Sequence, residues 1–387
     1  MLQNPEAKAI LIGMAHKKHT ALTRPQLGGR VRNEIAFVGA QCGLIQETVR
    51  NLVPELANRF SVDYMDADHG YFNDPIKNEY LDAGFEGYIA NQQVQETLVK
   101  LAGNDFDDKI QGLQRDWLFL NGNHFQAEAQ VVFLQASKRK SLEKRLDQCT
   151  NIVAFVVVDD EESLDLFSNK ADIPTFNIDD RNGLRETLKS YMNSKSPGLK
   201  GLILAGGKSV RMGQDKAQLT YNGKTAIERV ADLMRTQHIE PFLSVRSEDP
   251  DNSLPQVTDT FLNLGPMGAI LSALQTDPNS AWFVVACDLP LLDEETINQI
   301  VANRSPRSVA TAFLNHETGF AEPLITIWEP KAYHKMLSFL ALGYSCPRKV
   351  LINSDTRLIE PKDPRRLMNV NTPEDYKAAL AQLQHEQ

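Results

Sequence analysis

Short apolar runs alternate with amphipathic stretches over the first half of the chain. AILIGM, EIAFVGA, SVDYMDA, DWLFLNG, NIVAFVVV and IPTFNI are rich in apolar residues and of strand length. Between them, QETVRNLVPELANRF, SLEKRLDQC and GLRETLKSYM repeat apolar residues at helical spacing. Near-continuous apolar strands separated by amphipathic helices predict a parallel sheet covered on both faces. The segment NSKSPGLK, residues 193 to 200, is small and polar with a Pro-Gly pair, so it reads as a linker. At Gly201 the alternation restarts. GLILAGG is a strand running into a glycine turn, and AIERVADLM is a helix with Ile227, Val230, Ala231 and Met234 on one face. PFLSVR and WFVVACD are further strands, and ETINQIVANR is a helix. The pattern predicts two three-layer α/β domains, residues 1–195 and 196–387.

A length of 387 residues fits two or three domains. Residues are 42% hydrophobic and 24% charged, enough for sizeable cores in a globular protein. The formal charge of −9 argues against a protein that coats nucleic acid, which would neutralise phosphates with Lys and Arg. A small anionic ligand needs only a local basic pocket and stays open. Cys42, Cys149, Cys287 and Cys346 are far apart with no CxxC pair, so neither a zinc site nor a disulfide framework is expected. A reducing, cytoplasmic compartment is the expectation. The start of the chain lacks a signal-peptide pattern. No run approaches the roughly 18 apolar residues of a membrane helix, so no membrane association is expected.

Residues 37 to 49, FVGAQCGLIQETV, have the layout of a phosphate-binding P-loop: an apolar strand, a turn from Gly39 to Gly43, then a helix. A working P-loop carries a Lys that reaches the β/γ-phosphates and a Ser or Thr hydroxyl for Mg²⁺. Here the loop is one residue short, with Leu44 and Ile45 where those residues would stand.

The second half holds the richer chemistry. In LAGGKSVRMGQDKAQL, residues 204 to 219, a strand ends at Leu204-Ala205, and Gly206-Gly207 lets the backbone approach a ligand closely. Lys208, Arg211 and Lys216 follow within ten residues, forming a local anion-binding loop in an acidic protein. A flexible surface loop with solvated charges would carry the same residue types without that order. VVACDLP delivers Asp288 at the carboxyl end of a buried strand, where α/β sheets bind ligands. A single carboxylate suits Mg²⁺ bridging protein and substrate phosphates; alone, such an Asp is often only a helix cap. In DTFLNLGPMGAILSAL, Asp259 precedes a Gly-Pro-Met-Gly turn that opens a helix and offers backbone donors. FAEPLITIW is followed by LMNVNTPEDY, where Thr372 and Pro373 read as a helix start. Asn369 and Asn371 alternate on the approach and share a face; capping or a substrate contact would each account for them.

LAGGKSVRMGQDKA, DTFLNLGPMGAI, ACDLP, EPLITIW and NVNTPEDY, in this order over residues 200 to 380, resemble the molybdenum cofactor guanylyltransferases, a branch of the Mg-dependent nucleotidyltransferases. The resemblance implies a Rossmann-like nucleotidyltransferase domain with a mixed, mostly parallel sheet. It implies transfer of GMP from GTP to the terminal phosphate of molybdopterin, with release of pyrophosphate and Mg²⁺ as cofactor. Leu204, Ala205, Gly206 and Gly207 would cradle the nucleotide, Lys216 would neutralise its phosphates, and Asp259 would contact the guanosine. Asp288 would hold the metal, and Arg211 would stabilise the leaving pyrophosphate. Apart from the resemblance, Asn369 and Asn371 remain candidates for substrate binding. Molybdoenzymes or cofactor-insertion proteins would be partners. The double glycine of LAGG and the DK pair resemble the guanylyl rather than the cytidylyl branch. One departure is Val245, where the family usually carries Asn before the Arg of FLSVR. CTP or another NTP with a different phosphorylated acceptor therefore stays open, as does a nucleotide-binding scaffold without turnover.

The first half loosely resembles the molybdopterin-guanine dinucleotide biosynthesis adaptor proteins, which have a P-loop NTPase-like fold. DWLFLNG is similar to a family strand that ends in an acid, and Asn121 stands in its place. With Lys and hydroxyl also missing, the resemblance implies a degenerate P-loop domain without nucleotide hydrolysis. Asp66, Asp68 and His69 could form a site, although a solvated strand end is the simpler reading. His16 and His19 read as part of a basic loop, and His124 in NGNHF as a residue without an assigned role.

Overall fold

Ile35 to Val38 are all nearly inaccessible to solvent, the burial of a central strand covered on both faces. The computed structural model describes residues 33–67, 87–91, 96–100, 112–167, 172–205, 219–221, 223–250, 252–316, 318–370 and 372–385. Its first half contains β1 (Asn33–Val38), β2 (Val62–Met65), β3 (Gly87–Asn91), β4 (Glu96–Lys100), β5 (Trp117–Asn121), β6 (Ala129–Leu134), β7 (Ile152–Val157) and β8 (Thr175–Asn177). Six of these form one parallel sheet in the order β2-β5-β1-β6-β7-β8. The helix Cys42–Leu56 covers one face through Ile45, Val49, Leu52 and Leu56, residues that recur every three to four positions. The helix Arg181–Ser194 joins it through Leu184, Leu188 and Met192, with the Asp180 side chain capping the Gly183 amide.

Two sequence expectations change here. AQVVFL, which has no alternation to mark it, is a fully buried strand beside β1. SLEKRLDQC is not one helix. A five-residue helix, Arg139–Glu143, gives way to a single tight turn, Leu146–Gln148, because only Leu142 of that helix is buried. A segment with so little apolar contact cannot sustain more turns. AILIGM lies outside the described residues.

The second half contains β9 (Leu199–Leu204), β10 (Thr220–Tyr221), β11 (Lys224–Thr225), β12 (Glu240–Val245), β13 (Gln256–Thr258), β14 (Ala281–Ala286), β15 (Ala310–Asn315), β16 (Phe320–Trp328) and β17 (Thr356–Ile359). Its seven-stranded sheet has the order β13-β12-β9-β14-β16-β15-β17, parallel except for β16, which runs against both neighbours. Helix Ala226–Thr236, opened by a reciprocal Thr225–Glu228 cap, packs Val230, Ala231 and Met234 onto one face. Helix Pro266–Thr276 covers the other face and is apolar nearly all round. Between the halves, helix Arg181–Ser194 ends and β9 begins at Leu199, so the linker is shorter than its composition predicts.

The chain folds into two compact units. One contains the antiparallel hairpin β3–β4. The other contains both large sheets, which meet at the ends where their strands begin. Ser61 and Asp116 immediately precede β2 and β5, while Arg307 and Lys331 lie just before β15 and just after β16. Arg307 donates to the Ala57 carbonyl at 2.8 Å, and the Lys331 ammonium lies 2.8 Å from the Asp116 carboxylate.

Candidate functional site

β13, β12, β9 and β14 lie side by side and parallel, so their carboxyl ends share one edge of the second sheet. Leu204, last in β9, pairs with Ala286 of β14 on one side and Ser244 of β12 on the other. Ala205 follows it directly. The Leu204 carbonyl accepts from the Cys287 amide at 3.1 Å, extending the pairing to the residue before Asp288. Gly206, Gly207, Arg211, Lys216 and Asn371 lie outside the described residues.

Asp259 follows β13 at the same edge. Its amide donates to the Val245 carbonyl at 2.8 Å, and its carboxylate accepts from the Ser244 hydroxyl at 3.2 Å. Burial pushes the Asp259 carboxyl above its ordinary value, against the opposing pull of the Ser244 hydrogen bond and the Arg246 charge. The Gly-Pro-Met-Gly turn beyond it has a steric reason. A Cβ on Gly268 would come within 2.2 Å of the Phe261 carbonyl oxygen, so only glycine lets the helix start pack this closely.

Asp288 is half-buried at the turn after β14. Its carbonyl accepts from the Val370 amide at 2.9 Å, which brings the distant NVN segment to the site. The Asn369 Oδ1 atom is buried there with no hydrogen-bond partner. Thr372 and Asp375 then cap each other reciprocally, opening the helix Pro373–His385 as the sequence predicts. The Tyr221 hydroxyl is a further buried atom without a partner. Burial first, then Tyr376, Cys287 and Asp288, push it above the ordinary tyrosine value.

Glu322 and Arg348 belong to the same edge; Glu322 opens the EPLITIW motif, but neither its role nor its pairing with Arg348 was singled out by sequence. β16 runs antiparallel to β14 with Val285 opposite Ile325, so Glu322 near its start lies by the end of β14. Glu322 is 2% exposed; its Oε2 accepts from Asn315 at 3.2 Å and lies 3.7 Å from an Arg348 nitrogen. The Arg348 Nε is buried and unpartnered. No local spacing signals this pair, because 26 positions separate its members in the chain.

The glycine turn of the first half is closed on itself. Gly39 has φ of +97°, and a Cβ there would lie 2.3 Å from the Phe133 carbonyl oxygen. Asn123 spans the turn, accepting from the Gly39 amide at 3.5 Å and donating to the Ala40 carbonyl at 2.8 Å. The Gln41 amide donates to the Gln135 side chain at 2.9 Å. The amides of Gly39 and Gln41 are thus already bonded within the fold. Ile45, where a P-loop has its hydroxyl, is fully buried in the core.

Asp66 accepts from Gln46, Tyr64 and Asn121, each at 2.8 Å, and from the Ala67 amide. Burial alone would raise its pKa, but these hydrogen bonds outweigh it and hold the carboxyl below the ordinary value. Asn121, standing where the resemblance expects an acid, is one of these donors. The Cys42 sulfur lies 3.5 Å from His124 Nε2. Asp68, His69, His16 and His19 lie outside the described residues. Among those described, no group of three or more His, Cys, Asp or Glu could hold a metal ion, and no helix is long and apolar enough to cross a membrane.

Residues 201–357 match the family model described as the MobA-like NTP transferase domain. The probable molybdenum cofactor guanylyltransferase of Carboxydothermus hydrogenoformans is 32% identical over 186 residues, covering 46% of this chain and 93% of that protein. A molybdenum cofactor biosynthesis bifunctional protein of Synechocystis is 32% identical over 234 residues, 59% of this chain. The match spans 61% of that relative's length. Among solved structures, molybdopterin-guanine dinucleotide biosynthesis protein A from Archaeoglobus fulgidus aligns over 48% of this chain and 99% of its own, at 20% identity and a TM-score of 0.42.

Proposed function

Because the chain belongs to the molybdenum cofactor guanylyltransferase family, we propose that its second half, residues 196–387, transfers GMP from GTP to the terminal phosphate of molybdopterin. One observation carries the reading: Asp259, the Leu204–Ala205 strand end, Asp288 and Asn369 converge on one sheet edge. An acceptor phosphate oxygen attacks the α-phosphorus of GTP, the bond to the β-phosphate oxygen breaks, and pyrophosphate leaves. The acceptor phosphate is already ionised, so no strong general base is needed, and catalysis rests on positioning and charge stabilisation.

In this proposal Leu204 to Gly207 cradle the nucleotide and Asp259 contacts the guanosine. Lys216 neutralises the triphosphate and Arg211 the departing pyrophosphate. Asn371 contacts the substrates, and Asn369 does so directly or through the metal. The oxygen donors at the edge, the Asp288 carboxylate and the unpartnered Asn369 amide oxygen, fit Mg²⁺. That ion takes one or two carboxylates and completes its shell with water and substrate phosphates. Bound there, it would supply positive charge beside the triphosphate. For the first half we propose ligand or partner binding without nucleotide hydrolysis, since Leu44 and Ile45 replace the Lys and hydroxyl and the Gly39 and Gln41 amides are already bonded to Asn123 and Gln135.

The test is pyrophosphate release from the full chain with Mg²⁺, molybdopterin and each NTP in turn. Release with GTP is expected. No release with GTP but release with CTP, or with a sugar or alditol phosphate as acceptor, would overturn the guanylyl reading.

A further inference from the structure

The seam between the two sheets encloses a cavity of about 410 Å³, lined from one side by Phe60, Asp63 and Arg115 and from the other by Arg307, Lys335 and Asp355. Its size falls in the range of small-molecule sites, which favour junctions of this kind. It opens where the strands of both sheets begin, at the far end of β14 from Asp288.

The charges on its wall are unevenly matched. Lys331, 3% exposed at its side chain, is neutralised by Asp116 and also donates to Ser61 Oγ and the Arg307 carbonyl. Asp116 in turn accepts from the Ser61 amide and hydroxyl, each at 2.8 Å. Arg115 pairs with Asp63 at 2.9 Å. Arg307 and Lys335 remain without a carboxylate partner among the described residues. Arg307 donates to the Ala57 carbonyl, and the Lys335 ammonium lies 6.0 Å above the Phe339 ring. Asp355 is the remaining carboxylate on this wall and pairs with neither. Phe60, Val62 and Val309 add apolar surface beside these two cations.

We propose that this cavity is a second ligand site, separate from the nucleotide edge, that takes a small molecule through one phosphate group held between Arg307 and Lys335. Two cations beside an apolar wall suit a phosphate: the guanidinium fork matches its oxygens and the ammonium adds a point charge. A ligand touching both halves stabilises their packing, because it binds only when they are together.

The experiment is calorimetric titration of the full chain with inorganic phosphate and with GMP as probes, in EDTA to silence any metal-dependent binding. The Asp288→Ala variant serves as the background for the nucleotide edge. Metal-independent binding is expected in wild type and undiminished in Asp288→Ala. It should weaken about tenfold in Lys335→Gln, which removes a charge-assisted hydrogen bond, and further in Arg307→Gln with Lys335→Gln. Lys335→Gln leaves the Arg307–Ala57 contact across the seam intact, so its effect is read on the packed structure. GMP binding more tightly than phosphate would identify a phosphomonoester whose organic part uses the apolar wall; equal binding would identify free phosphate. No binding of either probe at millimolar concentration, or affinities unchanged in Lys335→Gln, would overturn the site.

Discussion

The Val370 amide donates to the Asp288 carbonyl at 2.9 Å, closing a loop of 82 positions between the metal-binding candidate and the NVN segment. This bond brings the unpartnered amide oxygen of Asn369 to the end of β14. It also means that the candidate catalytic edge is assembled from four strand ends and one distant segment, none of which contains the whole site.

Asp288→Ala and Lys216→Ala should each lower GMP transfer by about 10² to 10³-fold, the usual cost of removing one electrostatic stabiliser. Circular dichroism should stay unchanged, because Asp288 sits on a turn rather than in the sheet. Full pyrophosphate release by either variant would remove the proposed mechanism.

Asn369→Ala should separate stability from activity. The Asn369 oxygen is buried and unsatisfied, so losing it removes a desolvation penalty of about 1 kcal/mol or more. A melting temperature equal to or above wild type is expected, with turnover at least tenfold lower. A lower melting temperature with full turnover would make this residue structural.

Lys331→Met should cost about 1.5 to 3 kcal/mol, since it takes the buried ammonium away from the half-buried Asp116 carboxylate and leaves that carboxylate only its Ser61 hydrogen bonds. Pairing it with Asp116→Leu should recover most of that loss. Turnover per folded molecule should not change, because Lys331 lies at the opposite end of the sheet from Asp288. Urea denaturation of the single and double variants, with initial rates, tests both statements.

The Asp66 carboxyl is held below the ordinary aspartate value in the fold. Its contribution to stability is therefore complete above that value, 3.8, and is lost as pH falls below it toward the folded pKa. Asp66→Asn should destabilise the protein at neutral pH, and the gap to wild type should narrow as pH drops below 3.8. Denaturant midpoints across acid pH give the comparison; a gap independent of pH would contradict it.

An Asp288→Ala chain should show no GTP hydrolysis. The remaining glycine turn has its Gly39 and Gln41 amides bonded to Asn123 and Gln135, and Ile45 is locked in the core. A measurable GTPase rate in that variant would return the first half to the working P-loops.

The alternating apolar runs made β1, β5, β7, β9, β12 and β14 legible, since a strand buried on both faces must be apolar throughout. They did not reveal β6. AQVVFL has no period, and a buried helical turn would read the same way until a slot beside β1 decides it. β15 and β17 escaped for a related reason, because their strand identity depends on the pairing of β15 with β16 and of β17 with β15. Asp259, Asp288 and Asn369 could be nominated from the residues around them. The pairing of Glu322, which opens the EPLITIW motif, with Arg348 could not, because their meeting is set by the antiparallel register of β16 and a later helix.

By itself, the sequence determined that two strand-and-helix assemblies follow one another, that the first glycine turn lacks the side chains of a phosphate loop, and that Asp288 follows a buried strand. These are local facts, written in period, in residue type and in the order of neighbours. Only the tertiary structure decided that the Gly39 and Gln41 amides are taken by Asn123 and Gln135, that Asn369 stands beside Asp288, and that the two sheets join where their strands begin. Those outcomes depend on hydrogen bonds and ion pairs between residues tens to hundreds of positions apart, whose strength comes from burial and geometry that a local pattern does not carry.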